Sequence, residues 1–178
     1  MRSGLVPRLI AASAALTIAA VTLTSCGVPQ HGITGVMIAP SGRLTAVLGW
    51  CPDHAPDALV LYTDAERQST VGVSHWSAAQ KPAGTYLEVP LAEPPPGWSA
   101  KPPRLPALDP RREYILYGAT RNNSSSTAHV HFTVAALQAL TPGTILAVGE
   151  YVPEKDAWAE LHVSAAEFQR QVRKRYGC

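Results

Sequence analysis

The chain has 178 residues, 15 of them basic and 13 acidic, with three cysteines and 46% hydrophobic residues. That is enough apolar chain to bury one core, which excludes a disordered polar segment, and too little for several domains. The near-neutral balance excludes a global field that would steer the protein onto nucleic acid or an anionic surface.

Arg2 and Arg8 are the only charges ahead of Arg43. Between them and residue 24 runs an uncharged stretch rich in Ala, Leu, Ile and Val. As a helix, residues 9–23 would rise roughly 22 Å, short of the about 30 Å of hydrocarbon in a bilayer. A positive start, a short apolar run and small residues before a cut read as a secretory signal over residues 1–25. The run ends in Leu23-Thr24-Ser25-Cys26, which resembles the bacterial lipobox. That resemblance implies a diacylglycerol on the Cys26 thiol, cleavage before it, and attachment at the outer face of the cytoplasmic membrane. Each buried CH₂ adds roughly 0.8 kcal/mol, so two or three acyl chains hold firmly where one does not. Loss of Arg2 and Arg8 with the signal leaves basic and acidic residues balanced.

A short tether over residues 26–31 leads into a series of strands. Residues 33–39 and 44–51 are apolar runs parted by Pro40-Ser41-Gly42, a turn. In the second, Leu44, Ala46, Leu48 and Trp50 alternate onto one face, which marks Trp50 as core. Strands follow at residues 58–63, 71–76 and 85–91. Eight of the sixteen prolines then fall between Pro90 and Pro110. No helix or central strand persists through such a stretch, so it runs along the surface or an edge. Residues 112–120 form a strong strand around Tyr114, the second expected core residue. Asn122-Asn123-Ser124-Ser125-Ser126 is a polar turn, and residues 128–134 return as a strand. Val130, Phe132 and Val134 face one way along it, His129 and His131 the other.

The last part, 135–178, reads as an extension packed on a sandwich spanning 32–134. Thr133 is placed to cap a short helix to Leu140, stopped by Pro142-Gly143, and residues 144–152 form another strand. Glu150, Glu154, Asp156 and Glu160 read as a solvated acidic loop. Ser164-Ala165-Ala166-Glu167 is a capping box opening a helix over residues 165–176. Phe168 and Val172 lie on one face of it, with Arg and Lys in the last turn, where the helix dipole favours them. Short strands with turn signals and no helix among them give an antiparallel β-sandwich with a C-terminal strand and helix appended. Cys51 and Cys178 form an even pair in an exported chain, so a disulfide between them is expected.

Two segments resemble the fibronectin type III family. Leu44-Thr45-Ala46-Val47-Leu48-Gly49-Trp50-Cys51-Pro52 resembles its second strand, and Leu108-Asp109-Pro110-Arg111-Arg112-Glu113-Tyr114 its penultimate one. The resemblance implies an immunoglobulin-like sandwich in which the Tyr114 hydroxyl bonds back to the chain at the corner. The proline-rich segment and the last forty or so residues have no counterpart in that family. With its lipobox, the whole is similar to small secreted actinobacterial lipoproteins, a resemblance that implies location and no activity.

For chemistry, His129 and His131 sit two apart on one strand and could offer two imidazoles to zinc or copper, but no third ligand is local. Asp53, His54 or His75 could join only through the fold. No Gly-x-Ser-x-Gly elbow, phosphate-cradling loop or dinucleotide fingerprint is present. Trp76, Trp98 and Trp158 are candidate recognition residues, and Trp98, in a stiff Pro-Pro-Pro-Gly-Trp segment, is the one that could present an aromatic face; the other reading is that each tryptophan covers the core under a loop. The expectation is a membrane-anchored, non-catalytic binding or structural module with no cofactor and no nucleic-acid partner. The rivals are a metal-binding envelope protein using His129 and His131, and an enzyme with a loop-built site.

Overall fold

The computed structural model describes residues 27–65 and 69–178; Cys26 and the expected signal lie outside the described residues. Among these, the strands are β1 (Gln30–Ile38), β2 (Leu44–Trp50), β3 (Ala58–Ala65), β4 (Ser69–Ala78), β5 (Tyr86–Pro90), β6 (Trp98–Lys101), β7 (Glu113–Ala119), β8 (Ser126–Ala128), β9 (Val130–Thr133), β10 (Ile145–Val152) and β11 (Ala157–Val163). Two α-helices, α1 (Val134–Ala139) and α2 (Ala165–Tyr176), complete them.

The strands form a β-sandwich. One layer runs β5–β2–β1–β10–β11 and the other β6–β4–β3–β7–β9. Between the layers lies the main core, in which Leu48, Trp50, Leu59, Leu61, Trp76, Leu116 and Phe132 pack together. Leu137 and Leu140 of the α1 segment close one side of it. The Thr133 hydroxyl caps α1 by accepting from the Ala136 amide at 3.1 Å.

Among the described residues the layers are joined by β8, which pairs with both β1 and β7. Residues 128–134 were expected as a single strand, but the chain breaks at His129. β8 turns away to pair in parallel with the start of β1, while β9 stays on β7. The joint is a buried polar knot in which the Thr34 and Thr127 hydroxyls meet and both accept from the Gly118 amide, at 3.0 and 2.7 Å. A buried backbone N–H left without an acceptor would cost on the order of 1–3 kcal/mol, so the threonines are the condition for the break. The mixed pairing that results departs from the purely antiparallel sandwich expected.

β1 and β2 are apolar on both faces, and the helix explains why. Val36, Ala46 and Leu48 point into the main core, while Ile33, Met37 and Val47 join Ile145, Ala147, Phe168 and Val172 in a second core under α2. A strand covered on both sides reads as a continuous apolar run, not as an alternation. The close approach of α2 depends on glycine. A Cβ on Gly49 would stand 2.7 Å from Val172 Cγ2 and 2.9 Å from Phe168 Cε1. Gly49→Ala is therefore expected to push α2 outward and destabilise by about 1–3 kcal/mol. Chemical denaturation checks this, and pairing the change with Phe168→Ala should recover part of the loss.

Four further departures lie toward the ends of the described residues. β1 begins at Gln30, inside the expected tether. Part of the expected acidic loop is strand: β11 pairs with β10 from Ile145↔Val163 to Val152↔Ala157, and Glu150 and Glu160 sit on the two arms of this hairpin. The expected extension does not pack on a finished sandwich, because β10 pairs with β1 at Gly35↔Ala147 and Val36↔Leu146 and so belongs to the sheet. Half of the capping box forms. Ser164 Oγ accepts from the Glu167 amide at 3.3 Å, but the Glu167 carboxylate turns to Arg170 and Gln171 on its own helix. Gly177, at φ 71°, ends α2 in the left-handed region, and Cys178 beyond it is bonded to Cys51.

The proline-rich segment holds one short strand. β6 pairs with the edge of β4, with Pro95 and Pro96 before it and Pro102 and Pro103 after. An edge is where prolines nearby cost least, since only one side of the strand is hydrogen-bonded. At the next corner the Tyr114 hydroxyl accepts from the Asp109 amide at 2.7 Å, and its ring stacks on Phe132 at 5.7 Å. Arg111 faces the Asp109 carboxylate and holds its pKa down to about 2.

Candidate functional site: a cleft beside the terminal hairpin

β9 and the β10–β11 hairpin leave a surface cleft of about 440 Å³ between them. His129 and His131 line it from the sandwich side, Trp158, Glu160 and Arg175 from the far side, and Gln30 marks its end. A wider opening of about 740 Å³ lies where the hairpin meets α2, and Lys174 and Glu150, both on its lining, meet at 3.4 Å.

The two histidines share the cleft and differ in their surroundings. His129 stacks on Tyr117, with ring centroids 4.3 Å apart, and burial pushes its pKa below 6.5, the neighbouring His131 adding to the effect. His131 is more open and places Nδ1 3.5 Å from Glu113 Oε1. The fold does not bring Asp53, His54 and His75 to them as a group. His54 stacks on His31 at 3.7 Å, and His75 meets Ser77 Oγ at 3.3 Å on its own strand. Among the described residues no three His, Cys, Asp or Glu side chains come together as a metal cluster.

The shift of His129 gives stability a pH dependence with a definite sign. The folded form holds fewer protons than the unfolded chain once pH falls to the ordinary imidazole range, so acid favours unfolding. The stabilisation from neutral His129 is complete above 6.5 and is lost as pH falls through its lower folded value. His129→Gln should flatten this acidic fall in denaturation midpoints measured on either side of 6.5. An unchanged slope would place the titration elsewhere.

The tryptophans divide between core and surface. Trp50 and Trp76 are buried in the main core, and Trp98, the candidate for a presented face, is half-buried against it and paired in register with Ala78. A stiff proline segment does extend the chain here, but extension laid Trp98 along the sheet edge instead of lifting it into solvent. Trp158 is the exposed one, at 55%, next to Tyr151 at 44%. Their rings meet edge to face at 5.5 Å. Arg175 braces the pair, its guanidinium 5.3 Å from the Trp158 ring and its Nη1 donating to the Gly149 carbonyl at 3.2 Å. A cation over an indole face at that distance contributes roughly 0.5–1 kcal/mol at an exposed site. A signal for Trp158 was present in the sequence: it alternates with Glu160 and His162, opposite Ala159, Leu161 and Val163, as a solvent-facing strand residue does.

Fold and cleft together define a β-sandwich with an integral terminal hairpin and helix, carrying a surface cleft rimmed by aromatic, imidazole and carboxylate groups. Comparison with protein-family models, with curated proteins and with solved structures finds no match to the chain.

Proposed function

We propose that the protein is an extracytoplasmic lipoprotein, anchored at the outer face of the cytoplasmic membrane by lipid on Cys26, and that the folded part is a non-catalytic binding or structural module of the cell envelope. The observation that carries this reading is the use of the three cysteines. Cys51 and Cys178 are bonded to each other, which leaves Cys26, at the end of the apolar run, as the one remaining thiol of the chain. Disulfides persist in oxidising compartments, so the bond and the lipobox-like Leu23-Thr24-Ser25-Cys26 favour the same location. The immunoglobulin-like character of the sandwich is supported by the Tyr114 corner and by Trp50 at the centre of the core. Binding is supported by the cleft, where the Trp158 ring offers contact area and the His131–Glu113 pair offers polar contacts.

Growth with a palmitate analogue tests the anchor. The wild-type protein should carry the label and the Cys26→Ala variant should not; a labelled, membrane-held alanine variant would overturn the reading.

A further inference from the structure

We propose that the tip of the β10–β11 hairpin rests on the lipid surface, with Trp158 and Tyr151 seated in the headgroup region beside the anchor. This rests on the anchoring reading above and adds an orientation to it.

Among the described residues the exposed large hydrophobics are Val28, Tyr151 and Trp158, at 38, 44 and 55%. All three lie at the same end of the molecule. β1 and β10 are antiparallel with Gly35 opposite Ala147, so β10 advances toward Tyr151 as β1 is followed back toward Gln30. At about 3.3 Å per residue, Tyr151 lies roughly 13 Å and Gln30 roughly 16 Å from that pair in the same direction. Trp158 is paired with Tyr151, and it lines the same cleft as Gln30. The hairpin tip at Pro153–Lys155 continues past this level.

The tether sets the distance to the membrane. Three residues separate Cys26 from Gln30, and the four steps between them, fully extended, span at most about 14 Å. Lipid on Cys26 therefore holds the aromatic pair within about 17 Å of the anchor's level, and any tether short of full extension brings it closer. Tryptophan and tyrosine are the side chains that settle at this depth, each with an apolar body and a polar tip. Val28, within the tether, extends the same apolar footing.

Charge defines the kind of contact. Glu150, Glu154, Asp156 and Glu160 surround the pair, against Lys155 at the tip and Lys174 and Arg175 behind it. Such a surface gains nothing from anionic headgroups, so the contact is aromatic and not of the polybasic kind.

The test uses the full lipid-bearing protein, reconstituted into phosphatidylcholine vesicles with brominated acyl chains, which quench tryptophans at the bilayer. Flotation reports anchoring and emission reports contact. The expected result is that wild type floats and is quenched, and that the quenching is lost in Trp158→Phe, because Trp50 and Trp76 are buried and Trp98 is half-buried on the core. Adding anionic lipid should leave the quenching equal or smaller. A protein that floats yet is quenched no more than Trp158→Phe overturns the docking and leaves the anchor standing. Quenching that appears only with anionic lipid also overturns it. A protein that does not float defeats the anchoring reading, and the docking with it.

Discussion

Trp50→Ala is expected to lower the free energy of unfolding by about 3–5 kcal/mol, the range for emptying a large aromatic site in a packed core. Trp50 is 1% exposed and lies where both layers converge, among Leu48, Leu59 and Leu116. One effect opposes the loss. The indole Nε1 is buried without a hydrogen-bond partner among the described residues, so its removal relieves a desolvation cost on the order of 1 kcal/mol. The cavity term is several times larger and decides the sign. Trp50→Phe removes the unpaired N–H and keeps most of the volume, so its cost should be well under half that of the alanine change. Urea denaturation of both variants separates the two contributions. A loss below about 1 kcal/mol for the alanine change would mean that the core closes without the indole.

Replacing Cys51 and Cys178 together by serine should cost up to roughly 4–5 kcal/mol, the chain-entropy value for a loop of this length. The bond spans 127 positions, nearly the whole folded chain. Burial of Phe168 and Val172 under α2 remains in the serine variant and contributes about 1.5–3 kcal/mol for each side chain. The helix should therefore stay docked at its middle and fray at its end, where only Gly177 and Cys178 close the last turn on the Arg173 carbonyl. Denaturation should show the loss of stability, and hydrogen exchange should show faster amides in the last turn of α2 than in the first. Equal protection at both ends would contradict this division.

Much of the sandwich was legible because its strands bury apolar residues in short runs between proline and glycine turns. β2 and β7 also carried local motifs, and the corner at Tyr114 is a contact across only five residues. The disulfide was legible from the parity of the cysteines in an exported chain. What escaped depends on pairing across long separations. The parallel contact of β1 with β8 joins Gln30 to Ser126, and nothing near His129 in the chain announces that the strand will break there. β11 was hidden by its carboxylates, although Ala159, Leu161 and Val163 alternate beneath them. Which tryptophan is exposed was not legible for a related reason: proline stiffness at Trp98 is a statement about the backbone, whereas exposure is decided by which face of the sheet a side chain takes. Of the two histidines, only His131 lies on β9, on the face opposite Val130 and Phe132, and their unlike neighbours, Tyr117 for His129 and Glu113 for His131, are set by the fold.

The placement of β1 also determines how the domain bears a mechanical load. Along one edge it pairs with β2 from Gly32↔Trp50 to Ile38↔Leu44, and its other edge is shared between β8 and β10. A pull at Gly27 against the rest of the domain acts along the axis of this strand, across the direction of its hydrogen bonds. The rungs on both edges are then strained together, in shear, instead of opening one at a time from an end. Resistance is greatest along the line on which the chain leaves the fold toward Cys26, and β1 can slide only after its neighbours on both edges have released it.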